Sequence, residues 1–287
     1  MYALEIRGLG KTFRGKKLRT VEALKGIDLC VEQGEVLGFL GPNGAGKSTT
    51  IKCLMGLIRP TVGSATILGR DIASAEARTS VGYLPENPAF YDYLSAEEYL
   101  LFVGRAFGMQ GDLLSRRCEE VLKQLELWEP RRRLIRTYSK GMVQRVGLAQ
   151  VLLHDPEVYI LDEPMSGLDP IGRALVKEIV LDLKRRGKCV FFSTHITDDV
   201  EKVCDRVAVI NHGELKVVDR VENILMRGTE GYAVSIAAAD GSVEERVVAE
   251  AQLQGVISDA VAAGRSILKV EPRRKSMEAF FLDIVGH

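Results

Sequence analysis

The segment GPNGAGKS, at Gly41–Ser48, most constrains what this chain can fold into. It fits the pattern G-x-x-x-x-G-K-[ST], and the short apolar run VLGFL stands directly before it. In this pattern the glycines let backbone N–H groups point at phosphate oxygens, the lysine reaches the outer phosphates, and the hydroxyl ligates Mg²⁺. The pattern therefore predicts a buried strand, a phosphate-binding loop and then a helix. The candidate phosphate-binding residues are Gly41, Asn43, Gly44, Ala45, Gly46, Lys47, Ser48 and Thr49.

A second apolar run, VYILDE, ends in two adjacent carboxylates. A carboxylate at the end of a buried strand can hold Mg²⁺, directly or through water, so Asp162 is a candidate metal ligand together with Ser48. Glu163 would point the other way, and it is placed to accept a proton from an attacking water or to orient that water. The two acids and the loop together predict hydrolysis of a phosphate bond.

A third apolar run, CVFFST, is followed by His195. In a parallel sheet the carboxyl ends of the strands meet on one side, so His195 is predicted to lie beside the phosphate loop and to contact the terminal phosphate. The predicted catalytic residues are therefore Lys47, Glu163 and His195.

The order of strands and helices predicts an α/β fold with a mainly parallel sheet and right-handed crossovers. Before it, residues 1–32 read as strands with turns, and apolar residues alternate with polar ones in IDLCVE. After it, Asp169 and Pro170 suit the N-cap and first position of a helix. The apolar face of that helix is predicted to carry Ile171, Leu175, Ile179 and Leu183.

Two further segments extend this core. Residues from about 88 to 154 read as a helical insertion, and Ser95 and Glu98 form a capping box at the start of one of its helices. Beyond residue 221 two alternating runs are joined by Asp240-Gly241, a hairpin signal, and an Ala-rich helix, a strand and a last helix follow. The predicted domains are 1–220 and a small α/β domain at 222–287.

Composition excludes several function classes. Lys and Arg together number 39, and so do Asp and Glu, so no basic field argues for nucleic-acid binding. The basic run at 131–133 is interpreted as a solvated face. No signal peptide and no membrane-spanning run is expected, so another chain would have to cross a membrane. The five scattered cysteines predict reduced thiols in a cytosolic protein.

From about Leu4 to Leu215 these motifs resemble the nucleotide-binding subunits of ATP-binding cassette (ABC) transporters. The sequence YSKGM occupies the position of that family's signature, usually Leu-Ser-Gly-Gly-Gln. The resemblance implies two cassettes that face each other head to tail. Ser139, Lys140 and Gly141 of one copy would then contact the γ-phosphate of ATP held by the loop of the other.

The resemblance assigns three more positions. It places the Phe13 ring on adenine, and it places Asp169 in the loop that crosses the dimer interface. Glu86 stands in GYLPEN, where the family usually has Gln, and it is implied to contact Mg²⁺ and to form the hinge toward a membrane partner.

The implied function is ATP hydrolysis coupled to transport, with ATP and Mg²⁺ bound. The implied fold is a P-loop NTPase core of mainly parallel α/β type with an N-terminal antiparallel β subdomain, a helical insertion and a small C-terminal α/β domain. The implied partners are a second ABC subunit, as a homodimer, and an integral membrane permease that holds the chain at the cytoplasmic face of the membrane. Glu86, the YSKGM signature and the tail MEAFFLDIVG resemble the branch that exports drugs, antibiotics and sodium.

Two alternatives remain open. One is a soluble cassette ATPase that moves nucleic acid or ribosomes, against which the single phosphate loop, the single signature and the lack of sustained heptads argue. The other is a P-loop kinase or nucleotide switch, which would not need the signature upstream of YILDEP.

Overall fold

The computed structural model of the chain describes residues 2–14, 20–227, 229–237, 242–274 and 276–286. The chain separates into two units, Met1–Val218 and Asp219–His287. This division lies close to the proposed domain limits of 1–220 and 222–287.

The first unit contains ten strands and six helices among its described residues. The strands are β1 (Tyr2–Arg14), β2 (Thr20–Glu32), β3 (Val36–Leu40), β4 (Val62–Ile67), β5 (Arg70–Asp71), β6 (Val81–Leu84), β7 (Val158–Asp162), β8 (Cys189–Thr194), β9 (Arg206–Asn211) and β10 (Glu214–Arg220), the last of which crosses into the second unit. The helices are α1 (Lys47–Leu54), α2 (Ala96–Ala106), α3 (Gly111–Gln124), α4 (Lys140–Leu153), α5 (Pro170–Arg185) and α6 (Thr197–Val203).

The six-stranded sheet has the order β10-β9-β3-β8-β7-β6, and its pairings from β6 to β9 are parallel. Every residue of β3, β7 and β8 is buried, which confirms the three predicted buried strands. The carboxyl ends of these strands carry the phosphate loop, the two acids and His195. A second sheet, with order β2-β1-β4-β5, is antiparallel in each pairing and forms the N-terminal subdomain.

The parallel sheet separates two hydrophobic cores. Alternate residues of a strand face opposite sides, so Phe191 lies in the core under the antiparallel sheet and Phe192 lies in the core under the helical insertion. The helix α2 of this insertion begins as predicted, because Ser95 and Glu98 form both hydrogen bonds of the capping box.

The predicted apolar face of α5 was wrong at its first residue. Ile171 is 69% exposed, whereas Val176, Ile179, Val180 and Leu183 are buried. A spacing of four residues turns a helix by about 40° more than one full turn, so three such steps rotate the position by about 120°. Asp169 and Pro170 do cap the helix as predicted.

The second unit is smaller and has a much smaller core. Its elements are α7 (Val221–Arg227), β11 (Thr229–Ala237), β12 (Val243–Val248), α8 (Glu250–Ala262), β13 (Ser266–Arg274) and α9 (Met277–Val285). The strands form an antiparallel sheet of order β12-β11-β13. One core cluster among its described residues consists of buried Val234, Ile236 and Ala260 with partly buried neighbours, and Val221, Ile224 and Met277 are buried as well. The predicted turn at Asp240-Gly241 lies outside the described residues.

The structure also bears on the expected lack of a membrane-spanning helix, on the cysteines and on the basic run at 131–133. In the described part of the chain, no helix has the length and apolar character needed to span a membrane. The five cysteines are free thiols, and Cys53, Cys118 and Cys189 are buried. In the basic run Arg132 is exposed as expected, but the Arg131 guanidinium stacks 3.7 Å above the ring of Trp128.

Candidate functional site

A cleft of about 310 Å³ lies over the phosphate loop. It brings together residues from β2, the loop, the segment after β6 and the end of β7: Ala23, Pro42, Asn43, Gly44, Gly46, Lys47, Ser48, Thr49, Glu86 and Glu163. A larger cavity, of about 600 Å³, lies along α5 and α6 and contains none of these residues. The chemistry of the lining, and not its volume, therefore identifies the candidate site.

The loop has the shape of a phosphate cradle. Gly46 is the N-cap of α1 with a φ of 116°, and Gly44 has a φ of 79°, conformations that favour glycine. A Cβ atom at Gly41 would lie 2.4 Å from the carbonyl oxygen of Ile210, and one at Gly46 would lie 2.9 Å from that of Ala23. The start of α1 has no side-chain cap and no acidic residue in its first turn, so its N–H groups are available to an anion.

Lys47 is folded back over this loop. Its Nζ atom donates to the carbonyl oxygens of Gly41 at 2.7 Å and Pro42 at 3.2 Å, and lies 3.4 Å from Glu163 Oε1. The side chain is only 6% exposed, so its charge acts in a poorly hydrated setting. There a cation interacts more strongly with an anion than it does at an exposed surface.

Asp162 and Ser48 form the candidate metal site. Asp162 is 2% exposed, and its Oδ1 atom lies 3.3 Å from Ser48 Oγ. Hydroxyl and carboxylate oxygens are the hard ligands that Mg²⁺ takes, beside phosphate oxygens and water. Glu86 is exposed on the same cleft and can add a second carboxylate as a third ligand. The donor set therefore fits Mg²⁺ bound with a nucleotide.

Glu163 has partners different from those of Asp162. Its Oε2 atom lies 3.0 Å from His195 Nδ1, and its Oε1 atom faces Lys47. Glu163 is 8% exposed, and its φ of 51° lies in the left-handed region, which is rare for a residue with a side chain. His195 is half-exposed, so one side of its ring faces solvent while the other holds the carboxylate. The pair is placed to orient a water molecule and to take its proton.

Three residues of this site were missed from the sequence. Ser193 is fully buried and contacts both acids. Gln144 is 4% exposed, and its Nε2 atom donates to the carbonyl oxygen of Pro164 at 3.2 Å, which ties α4 to the turn after β7. Burial, reinforced by the charge of Asp162, raises the pKa of Tyr83 to about 12, so its hydroxyl stays protonated. For Ser193 the available signal was a polar residue inside an apolar strand.

The signature residues lie apart from the cleft. Ser139 caps α4, and its Oγ atom accepts a hydrogen bond from Met142 N at 3.2 Å. Ser139 and Lys140 are exposed, and the Lys140 stem lies so close to Gly167 that a Cβ there would be 2.8 Å from Lys140 Cε. Neither Ser139, Lys140 nor Gly141 lines the loop cleft in the described part of one chain.

Among the described residues that do not line the cleft are also Asp169 and Phe13. Asp169 accepts a hydrogen bond from Gly172 N at 2.8 Å and so caps its own helix. Phe13 lies at the end of β1, 41% exposed, and the Nζ atom of Lys11 lies 5.1 Å from its ring centre. Adenine stacking by Phe13 stays a prediction.

Comparison with known proteins decides the family. The ABC transporter family model matches residues 24–166. An ABC transporter ATP-binding protein from Synechocystis is 41% identical over 277 residues, covering 91% of this chain and 78% of that protein. The chain belongs to the ABC transporter family.

Further ABC relatives agree with this. The linearmycin resistance ATP-binding protein LnrL from Bacillus subtilis is 31% identical, covering 92% of this chain and 93% of that protein. A solved ATP-binding subunit of an ABC transporter is 32% identical, with a TM-score of 0.71, and the match covers 78% of this chain and 92% of that one. The chain is thus an ABC ATP-binding subunit and an ATPase, which confirms the resemblance and the predicted fold class.

Proposed function

We propose that this ABC ATPase energises an exporter, working as a head-to-tail homodimer at the cytoplasmic face of a membrane through a separate permease. The single observation that carries the catalytic part is Glu163, held between Lys47 and His195 in the cleft over the phosphate loop. Export is supported by the relative LnrL, whose name records resistance to linearmycin. Glu86 and the YSKGM signature, which resemble the exporter branch, support it too.

The reaction is phosphoryl transfer from ATP to water. The N–H groups of the loop and the Lys47 ammonium would bind the phosphates and stabilise the charge that develops on them. Ser48 and Asp162, with Glu86, would hold Mg²⁺, which when bound neutralises charge on the outer phosphates. Glu163 would take the proton of the water that attacks the γ-phosphorus, and ADP would leave. His195 would orient Glu163 and contact the γ-phosphate.

The proposed role of the dimer is to bring the signature of one copy to the ATP bound by the other. Ser139 and Lys140 are exposed at a helix start, and neither they nor Gly141 line the loop cleft among the described residues of one chain. In a head-to-tail pair they would contact the γ-phosphate held by the opposite copy, with Asp169 in the loop that crosses the interface and Phe13 on the adenine. Only the closed pair makes these contacts, so ATP favours closure, and hydrolysis removes the phosphate that joins the halves.

An aromatic patch supports the permease contact. Tyr91, Tyr93 and Phe102 are 51%, 62% and 52% exposed, and the Tyr91 ring lies 5.8 Å from each of the other two. Tyr91 and Tyr93 follow Glu86 in the region 87–94 that we propose as the permease contact, and Phe102 lies beside them on α2. Clustered exposed aromatic rings mark interaction surfaces in soluble proteins.

Glu163→Gln tests the catalytic and dimer proposals together. It keeps the size of the side chain and removes the base, so turnover is expected to fall by roughly 10²–10⁴-fold while MgATP traps a dimer visible by size-exclusion chromatography. Glu157→Gln is the matched control, because Glu157 directly precedes the same strand, β7, and its side chain is 63% exposed. Normal turnover would remove Glu163 from its role, and a strict monomer with MgATP would contradict the dimer.

The permease proposal has its own test. The chain would be co-expressed with a membrane protein of about six helices encoded beside it, and its recovery in membranes measured. Replacing Tyr93 and Phe102 by Ser is expected to lose that recovery with soluble ATPase activity kept, whereas Tyr2→Ser, 47% exposed on β1, is expected to keep both. No such neighbouring membrane protein, with ribosomes or DNA co-purifying instead, would favour the nucleic-acid class of cassette ATPase.

A further inference from the structure

Ser193 is a polar residue in the middle of the sheet. It lies on β8 within the run CVFFST, and its side chain is fully buried. A buried hydroxyl costs free energy unless it is hydrogen-bonded. Ser193 Oγ donates to Asp162 Oδ1 at 2.5 Å and accepts from the peptide N–H of Glu163 at 3.0 Å. One hydroxyl therefore joins the two consecutive acids of the site.

The first of these bonds fixes the Asp162 carboxylate. Its Oδ1 atom lies between two hydroxyl groups, Ser193 Oγ at 2.5 Å and Ser48 Oγ at 3.3 Å. A carboxylate held by a short hydrogen bond already has fixed side-chain torsions before a cation binds. Cation binding therefore costs less side-chain conformational entropy. Ser193 would thus act on the metal through Asp162 without touching the metal.

The second bond fixes the backbone of Glu163. Its left-handed conformation, with a φ of 51°, is unfavourable for a residue with a side chain and persists only when its surroundings hold it. The Glu163 N–H is held by Ser193 Oγ at 3.0 Å and Ser193 O at 3.2 Å, and its carbonyl oxygen accepts from Ser166 N at 3.0 Å. This turn directs the Glu163 side chain toward Lys47 and His195.

We propose that Ser193 is a positioning residue that sets both acids at once, Asp162 for the divalent cation and Glu163 for the attacking water. This inference rests on the roles proposed above for those two acids. In this proposal one hydroxyl, Ser193 Oγ, positions both Asp162 and Glu163, which neither the phosphate loop nor the signature does.

The neighbouring residue provides a matched control. Thr194 is on the same strand and is 3% exposed, and its Oγ1 atom accepts a hydrogen bond from Ile196 N at 3.1 Å. Thr194→Val therefore removes an equally buried hydroxyl from the same strand without removing a bond to either acid. Ser193→Ala removes both bonds, and Ser193→Cys keeps most of the volume with a much weaker donor.

The test measures cation binding directly. Mn²⁺ binding to the chain with a non-hydrolysable ATP analogue would be followed by electron paramagnetic resonance. Ser193→Ala is expected to weaken Mn²⁺ binding by about 10–100-fold, the usual effect of losing a group that orients a metal ligand. In ATPase assays it is expected to lower kcat, with little change in analogue affinity measured in EDTA. Thr194→Val is expected to match the wild type in all three measurements.

Unchanged Mn²⁺ affinity and kcat in a folded Ser193→Ala chain would overturn the inference. Equal losses in Ser193→Ala and Thr194→Val would overturn it too, because they would show a general packing effect. If Ser193→Ala does not fold, Ser193→Cys carries the same expectations. Asp162→Asn distinguishes failure of the proposed metal site from failure of the role of Ser193. If Asp162→Asn leaves Mn²⁺ binding intact, the proposed metal site is wrong. If it abolishes Mn²⁺ binding while Ser193→Ala leaves binding unchanged, only the role of Ser193 is wrong.

Discussion

We propose above that two helix N-termini of this chain each bind a phosphate, and the two are built differently. At α1 the N-cap Gly46 leaves the N–H groups without a side-chain cap, and Ala23 and Ile210 from other strands close around the loop. At α4 Ser139 caps the helix with its own hydroxyl and lies exposed. The first terminus is enclosed by the fold of one chain, whereas the second is an open surface. An open terminus can close over a phosphate only when another molecule presents one, which is why we place its ligand on a second copy.

A buried amide connects the open terminus to the turn that carries Glu163. Gln144 lies on α4, one turn after the signature, and its amide reaches the carbonyl oxygen of Pro164, next to Glu163. The open terminus and the catalytic turn of the same chain are thus tied together. In a head-to-tail pair the signature of one copy would contact the ATP bound by its partner. The hydrogen bond of Gln144 would then connect that ATP to Glu163 of the first copy, which acts on the ATP bound by the first copy itself.

The largest effect is expected at the enclosed terminus. Lys47→Ala removes the buried cation of the loop and leaves Glu163 without it, so turnover is expected to fall by roughly 10²–10³-fold or more. ATP affinity, measured by isothermal titration calorimetry, is expected to fall with it. Lys52→Ala, on the exposed side of the same helix, is expected to leave both unchanged. Wild-type ATP affinity in Lys47→Ala would contradict the view that this terminus binds phosphate within one chain.

The open terminus should respond differently. Ser139→Ala is expected to leave ATP binding by the monomer intact but to lower turnover and ATP-dependent dimer formation by roughly 10–100-fold, the effect of one lost hydrogen bond to a charged group. Loss of the cap itself costs about 1 kcal/mol of stability.

Ser276→Ala is the control for capping alone, because Ser276 caps α9 with the same 3.2 Å bond to the third residue of its helix. If Ser139→Ala behaves like Ser276→Ala, and the chain hydrolyses ATP at full rate as a monomer, the open terminus has no role in the reaction.

Loss of the hydrogen bond between Gln144 and the Pro164 carbonyl oxygen is expected to have an intermediate effect on turnover. Gln144→Leu keeps the side chain buried but leaves the Pro164 carbonyl oxygen without its donor, which costs about 1–3 kcal/mol. Turnover is expected to fall severalfold, and the dependence of rate on ATP concentration is expected to become less cooperative. Gln150→Leu removes another side-chain contact of α4, that with the Tyr99 hydroxyl, and is expected to change stability only. Equal kinetics in the two variants would show that α4 and the catalytic turn act separately.

The smallest effect concerns the far end of α4. Burial lowers the pKa of His154, the C-cap residue, below its ordinary value, and its ring stacks on Phe107 at 3.8 Å. The unfolded chain therefore takes up this proton first as the pH falls. The stability contribution is complete above about pH 6.5 and is lost as the pH drops through the lowered pKa.

Thermal unfolding of the wild type and of His154→Phe between pH 5 and pH 8 measures this contribution. The variant keeps an aromatic ring beside Phe107 and is expected to show the weaker loss of stability on the acid side. A parallel decrease of the two melting temperatures would assign the acid sensitivity to other groups.

The sequence predicted the elements that obey local rules. Three apolar runs became the buried strands β3, β7 and β8, Ser95 and Glu98 made a capping box, and Asp169 with Pro170 began α5. These features depend on nearby residues, so a linear pattern contains them. The prediction was wrong at Ile171, where the direction of the helix against the sheet decided which residues are buried.

The sequence by itself determined the phosphate loop, the two acids and the family, because a P-loop needs particular residue types at particular spacings. Only the tertiary structure decided which side chains support them. Ser193 and Gln144 are ordinary polar residues in the chain, and their bonds to Asp162, Glu163 and Pro164 exist because strand order and helix packing bring distant segments together. Hydrogen bonds form over about 3 Å, whereas a sequence pattern records only distance along the chain.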